Sequence, residues 1–154
     1  MVSFREVNEV AINPADVSWT KKGIELFGNF KVQEQEFNIE VTILEENIYQ
    51  FKFYRDSQTK LFNDNKFALV VIPTIKNALD YAMDTLNPDV LLFATSDDSK
   101  SRKSLYRLNS ARIARKYNYY DVSMNSELAK LGYTEFVFGV YRNKEVLNKI
   151  IKDL

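Results

Sequence analysis

The hydrophobic period of this chain changes partway along it, and that change limits the folds open to it. From Phe37 to Ile43 the sequence Phe-Asn-Ile-Glu-Val-Thr-Ile alternates strictly between apolar and polar residues. From Asn65 onward Ala68, Val71, Ile72, Ile75, Ala78, Leu79, Ala82 and Leu86 recur at three- and four-residue spacing until Asn87-Pro88. Period two puts every second side chain of a strand on one face, and period 3.6 gives a helix one apolar stripe. A chain with both must lay helices on a sheet, which is an α+β layer.

The other segments extend this reading. Tyr49 to Phe53 alternates again just after Glu45-Glu46-Asn47, so it pairs with Phe37 to Ile43 as an antiparallel hairpin. Phe4 to Ile12 and Ile24 to Val32 are weaker strand candidates, set off by the turn formers Asn13-Pro14 and Lys22-Gly23. Pro73 removes one hydrogen bond from the helix. One kinked helix is preferred over a strand Phe67 to Ile72 followed by a helix from Pro73. Asp89 to Thr95 is a short apolar run between turn formers, the pattern of a central strand buried on both faces. Ser96-Asp97-Asp98-Ser99 supplies N-cap side chains for a helix reaching about Tyr117, on which Tyr106, Ile113 and Tyr117 share a face. An extended piece near Tyr119 to Ser123 follows, then a short helix capped by Asn125 or Ser126 and closed by Gly132. A strand Glu135 to Tyr141 and a helix from about Lys144 complete the chain. The expectation is one α+β domain over residues 1–154. Its mostly antiparallel sheet has N-terminal hairpins followed by helix-strand-helix-strand-helix.

Residue types exclude many chemistries. The sequence has no cysteine and no histidine. That removes disulfides, thiolate nucleophiles, zinc sites and the commonest general base, and leaves carboxylates, tyrosine, lysine or backbone for any catalysis. Gly28 and Gly132 bracket a stretch without glycine, so a glycine-rich phosphate loop cannot be built there. Asp97 and Asp98 follow the expected central strand, where a Mg²⁺ site could lie, but capping the next helix explains them better. No catalytic residue, metal or cofactor is expected. The longest apolar run, Phe67 to Pro73, is too short to span a bilayer, and the N-terminus lacks signal-peptide character. No membrane partner is expected, and the cytosol is the expected compartment.

Charge is the most suggestive feature. Lys100, Arg102, Lys103, Arg107, Arg112, Arg115 and Lys116 fall in one helix with no acidic residue among them, although the whole chain has zero formal net charge. Arg102, Lys103, Arg107, Arg112 and Arg115 are the candidate partner-binding residues. The plain alternative is a solvated helix face, and a third reading is nucleic-acid phosphate contact, which a neutral chain favours less. Glu34, Glu36, Glu40, Glu45 and Glu46 form an acidic counterpart without an intervening base, so hairpin and helix could pair within one molecule or between copies of a homo-oligomer. Tyr117, Tyr119 and Tyr120 are candidates for base stacking or an interface patch, with filling of the sheet-helix core the preferred reading for most rings, and Trp19 beside Lys21-Lys22 is a candidate surface anchor in a turn or a lid on the core edge.

Two resemblances bear on function. The run Asn87-Pro-Asp-Val-Leu-Leu-Phe-Ala-Thr-Ser, then Ser101-Arg-Lys-Ser-Leu-Tyr-Arg-Leu108, then Arg115-Lys-Tyr-Asn-Tyr119 resembles a group of small proteins of tailed bacteriophages. The similarity covers about Phe51 to Tyr119, with Asn118-Tyr119 where the group has a Gly-Tyr pair. It implies a non-catalytic accessory protein that binds a host or virion protein, in the bacterial cytoplasm or in the virion. The same segment is similar, at Leu105-Tyr106, to the second half of GNAT-type acetyltransferases, in which a strand leads into a helix. That resemblance implies a GNAT-like topology and, as an alternative function, an acyltransferase with Tyr106 as proton donor. Its cofactor loop would be atypical, because Phe62 to Ala68 has neither glycine nor arginine and carries Asp64.

Overall fold

The computed structural model describes residues 13–55, 65–94, 100–131 and 137–152, with side chains at 13–55, 69–94, 103–131 and 137–150. Among the described residues four antiparallel strands come first: β1 (Ser18–Lys22), β2 (Glu25–Val32), β3 (Gln35–Glu45) and β4 (Ile48–Arg55). Helix α1 (Asn65–Leu86) crosses over to β5 (Val90–Phe93), which pairs parallel to β4. Helix α2 (Lys100–Tyr117) leads to β6 (Tyr120–Asp121), a 3₁₀ turn (Val122–Met124) and the short α3 (Ser126–Lys130). Then β7 (Phe138–Tyr141) inserts between β5 and β6, and α4 (Lys144–Lys152) follows. The sheet order is β1-β2-β3-β4-β5-β7-β6, antiparallel throughout except at β4-β5. This is the expected α+β class.

The period-two segments do what their alternation dictates. Phe37, Ile39 and Val41 of β3 stand beside Phe30 and Leu26 of β2 and Phe51 and Phe53 of β4, all buried on one face. Helices α1 and α2 lie on that face, with Val71, Ile75, Leu79, Tyr106 and Ile113 in the same core. A second core forms on the opposite face around β5 and β7, where Ile48, Val90 and Tyr141 meet Val122, Leu128 and Leu147. Burial from both sides explains why Val90-Leu91-Leu92-Phe93 is apolar without alternation.

The residues at turns and helix ends match the backbone they adopt. Positive φ angles at Gly23 (62°), Gln33 (57°) and Asn47 (62°) close the three hairpins. Asn87 (46°) and Asn118 (60°) take the left-handed conformation just past α1 and α2. Asparagine is the residue besides glycine that tolerates this, so Asn118 ends the helix as a Gly would, with the Tyr119 amide donating to the Ala114 carbonyl at 2.9 Å. Pro73 sits inside a continuous α1, not at the start of a new helix after a strand. Next to it the Thr74 hydroxyl donates to the Val70 carbonyl at 2.6 Å and accepts from the Ala15 amide at 2.8 Å.

Two features depart from expectation. β1 is a strand with one apolar side chain, Trp19, so its period is invisible in sequence. Trp19 is the lid on the core edge, lying over Gly28 and stacked on Tyr81 with ring centroids 4.5 Å apart. The other is the length of the C-terminal strands, since β5 is limited to Val90–Phe93 and the described part of β7 to Phe138–Tyr141. The strand candidate Phe4 to Ile12, the caps Ser96 to Ser99 with Asp97 and Asp98, and Gly132 lie outside the described residues.

Candidate docking surface along helices α1 and α2

Helix α2 has three differently used sides. Its inner side buries Leu105, Tyr106 and Ile113 together with two polar residues that are fully engaged. Asn109 donates to the Leu105 carbonyl at 2.9 Å. The Ser110 hydroxyl donates to the Tyr106 carbonyl at 2.9 Å and accepts from the Gly139 amide at 3.1 Å. The last bond ties the helix to β7 where the chain needs glycine: Gly139 has φ 148°, and a Cβ there would lie 2.3 Å from the Leu91 carbonyl oxygen.

A second side faces α1 and converges on Asp80. Arg112 reaches the Asp80 carboxylate at 2.9 Å and the Lys76 carbonyl at 3.2 Å, and Lys116 reaches the other carboxylate oxygen at 3.1 Å. The Tyr117 hydroxyl donates to the same aspartate at 3.4 Å. Burial alone would raise the Asp80 carboxyl, but the hydrogen bonds and charge of Arg112 and Lys116 outweigh it and hold the group below its ordinary value. Burial first, and then the charges of Asp80 and Asp84, push the Tyr117 hydroxyl strongly up. Because Arg112 touches Lys76 and Asp80 while Tyr117 touches Asp80, the two helices run parallel.

The third side looks outward, with Ser104, Arg107, Leu108 and Arg115 exposed. Leu108 is 70% exposed and lies one turn before Arg112, so it flanks α1. On α1, Leu69 and Ile72 precede Lys76 and Asp80 on the same stripe, and they are 50% and 46% exposed. Leu69, Ile72 and Leu108 therefore mark an apolar groove between two parallel helices. Lys76 and Arg112 follow one turn further along each helix, and Arg115 lies in the last turn of α2.

The five candidate residues separate on this frame. Arg107 and Arg115 are exposed, and the Arg107 guanidinium carbon sits 5.7 Å from the Phe138 ring centroid. Arg112 is held in the α1–α2 seam, and Lys103 is half-buried. The Arg102 side chain lies outside the described residues. Sequence reasoning missed Leu69, Ile72, Leu108 and Lys76. Leu108 carried a usable signal, since a leucine two positions from Tyr106 falls off the Tyr106–Ile113–Tyr117 face. Ile72 carried none, because its spacing matches the buried stripe.

The acidic counterpart is spread over β3 and its two turns. Glu36 accepts from Asn29 at 2.6 Å and Glu40 from Tyr54 at 3.2 Å. Glu45 and Glu46 are exposed, next to Leu44, which lies at a bulge between Ile43 and Glu45 and is 47% exposed. The Asn47 carbonyl accepts from the Asp89 amide at 2.9 Å, so this turn sits beside the carboxyl end of α1. Ile72 is 14 residues from Leu86, or about 21 Å along the helix. The turn and the exposed Leu69 and Ile72 are therefore at opposite ends of α1, so Leu44 does not reach these aliphatic side chains inside one molecule.

The aromatic candidates are mostly occupied by the fold. Tyr117 is bonded at Asp80, and Tyr119 donates to the Pro88 carbonyl, leaving Tyr120 exposed. Tyr120 borders a concavity of about 480 Å³ with Met124, Tyr141 and Lys144. Arg142 on its wall is committed to Asp89 at 2.9 Å and to the Asn87 side chain at 2.7 Å. Tyr106, the proton donor of the acyltransferase reading, has no exposed surface and packs against Phe93 and Phe53, with centroids 5.2 and 5.9 Å away. Phe62, Asn63 and Asp64 of its cofactor loop lie outside the described residues. Among the described residues no cluster of acidic side chains could hold a metal ion, and no helix is long and apolar enough to cross a membrane. Comparison with models of known families, with curated proteins and with solved structures finds no match.

Proposed function

We propose that this chain is a non-catalytic binding protein, of the accessory kind its phage resemblance implies, acting in the bacterial cytoplasm or in a virion. It takes a protein partner at the α1–α2 groove. The observation that carries this reading is the exposure of Leu69, Ile72 and Leu108 on the neighbouring flanks of α1 and α2, one turn or more before the Lys76–Arg112 contact. Apolar groups left in water beside one partly buried and one exposed arginine have the composition of a protein-binding patch. A nucleic-acid backbone would use the cations and gain nothing from three aliphatic side chains at the centre, so an acidic protein segment bearing apolar residues fits better. The seam residues make the patch rigid, because Asp80 fixes both helices beneath it. The acyltransferase alternative has less support, since Tyr106 is sealed in the core.

The test is comparative capture from expressing bacterial cells, followed by titration of the purified partner. Wild-type protein retains a partner that the Leu108→Ser/Arg115→Glu variant loses, while a Lys21→Glu/Lys22→Glu variant on the distant β1 edge keeps it. The affinity loss for the groove variant is at least about tenfold, as expected for a central apolar contact together with a reversed charge. Equal retention by all three proteins rejects the groove as the binding surface. Retention of DNA or RNA at low salt, released steeply as salt rises, favours the nucleic-acid reading. A thermal shift on adding acetyl-CoA favours the acyltransferase reading.

A further inference from the structure

We infer that the groove between α1 and α2 receives the β3–β4 turn, Leu44-Glu45-Glu46, of a second copy of this chain. The inference rests on the reading of the groove as a protein-docking surface and names its occupant. The turn has the chemistry the groove selects. Leu44 projects at a β-bulge with nearly half its surface exposed, and the two residues that follow it are exposed carboxylates. The groove offers the complement: aliphatic side chains at Leu69, Ile72 and Leu108, and cations at Lys76 and Arg115 that point to solvent. Leu44 would enter between the helices, with Glu45 and Glu46 meeting the two cations at the rim.

The turn itself is braced. Ile48, two residues past Glu46, is buried, and the Asn47 carbonyl is held by the amides of Asp89 and Val90 at 2.9 and 3.3 Å. A braced loop loses little conformational freedom on docking, which favours it over a floppy acidic tail. Its distance from the apolar end of the groove of its own molecule, about 21 Å along α1 at Ile72, keeps Leu44 from entering there and calls for another copy. Turn and groove are unlike surfaces, so the contact is heterologous. Opposite signs in one chain of zero formal charge also explain how a neutral protein could attract itself without a large interface.

Sedimentation of the full chain at concentrations up to about 0.1 mM, a range that reveals contacts with dissociation constants of that order, is the direct measurement. Wild-type protein shows a mass that rises with concentration and falls back as salt is added. A turn variant, Glu45→Lys/Glu46→Lys, and a groove variant, Lys76→Glu/Arg115→Glu, each remain monomeric, with self-affinity reduced at least about tenfold. Mixing the two restores association, because the unaltered groove of one meets the unaltered turn of the other. Both variants change exposed residues, and an unchanged melting temperature verifies that they fold. Wild-type protein that stays monomeric overturns the inference, as does self-association unaffected by either variant or failure of the mixture to associate. A monomeric wild type that still captures a partner through Leu108 and Arg115 overturns the inference while leaving the docking reading intact.

Discussion

The two flanks of helix α2 carry the same charge and do opposite things. On the α1 flank Arg112 and Lys116 close on Asp80 and become part of the fold. On the outward flank Arg107 and Arg115 remain in solvent beside an exposed leucine. The difference is one carboxylate. Asp80 lies where α1 passes within reach of the first pair, and among the described residues no ion pair joins α1 to the second. A run of positive residues is thus divided by its neighbours into a structural half and a half available for binding. Counting charges along a helix overstates a binding surface until the adjacent element is known.

Single substitutions should tell the structural flank from the exposed one. The largest effect is expected on the inner side, at Gly139→Ala. The added Cβ meets the Leu91 carbonyl and the backbone is held at a φ that alanine disfavours, so chemical denaturation should show a loss of about 3 kcal/mol or more. Next comes Asp80→Ala, which leaves Arg112 and Lys116 without their carboxylate and should cost about 1–2 kcal/mol. Arg115→Ala and Arg107→Ala should alter stability by no more than about 0.5 kcal/mol, as ordinary surface changes do. If Arg115→Ala destabilised the fold as much as Asp80→Ala, the division of the helix into two functional halves would be wrong.

The seam should also be the pH-sensitive part. The folded Asp80 carboxyl lies below its ordinary value, so its contribution is complete above the unfolded value near pH 4 and disappears as pH falls through the folded one. Tyr117 has the reverse sign. Its hydroxyl is raised in the fold, so its contribution is complete below the unfolded value near pH 10 and is lost as pH rises further. Melting temperatures recorded across pH should fall at both ends. Asp80→Asn should flatten the acid limb, and Tyr117→Phe the alkaline one. The smallest effect belongs to Leu108→Ser, with a stability change near zero although it alters the proposed docking groove. Calorimetry of that variant, set beside the binding loss proposed for the Leu108→Ser/Arg115→Glu pair, separates stability from docking.

Much of the architecture was legible because single residues declare it. The alternation at Phe37 to Ile43 and Tyr49 to Phe53 gives β3 and β4, and the three- and four-residue spacing after Asn65 gives α1. The unbroken apolar run at Val90 to Phe93 marks a strand covered on both faces. β1 was not legible, since Ser-Trp-Thr-Lys-Lys at a sheet edge has one side chain facing the core and no period to detect. The candidate surface was half legible. Its charge stood out, but the exposure of Ile72 contradicted a spacing that assigned it to the core, and Arg112 left the set because Asp80, distant in sequence, came within 2.9 Å.

By itself the sequence determined the α+β class, the positions of the main helices and strands, and the absence of histidine and cysteine chemistry. These follow from local periodicity and residue type, which need no knowledge of what packs where. Packing in three dimensions sets which cations are spent on Asp80, which aliphatic residues are left in water, and that the acidic turn and the exposed Leu69 and Ile72 lie at opposite ends of one helix. Those outcomes depend on contacts between residues far apart in the chain, and no pattern within a single segment encodes them.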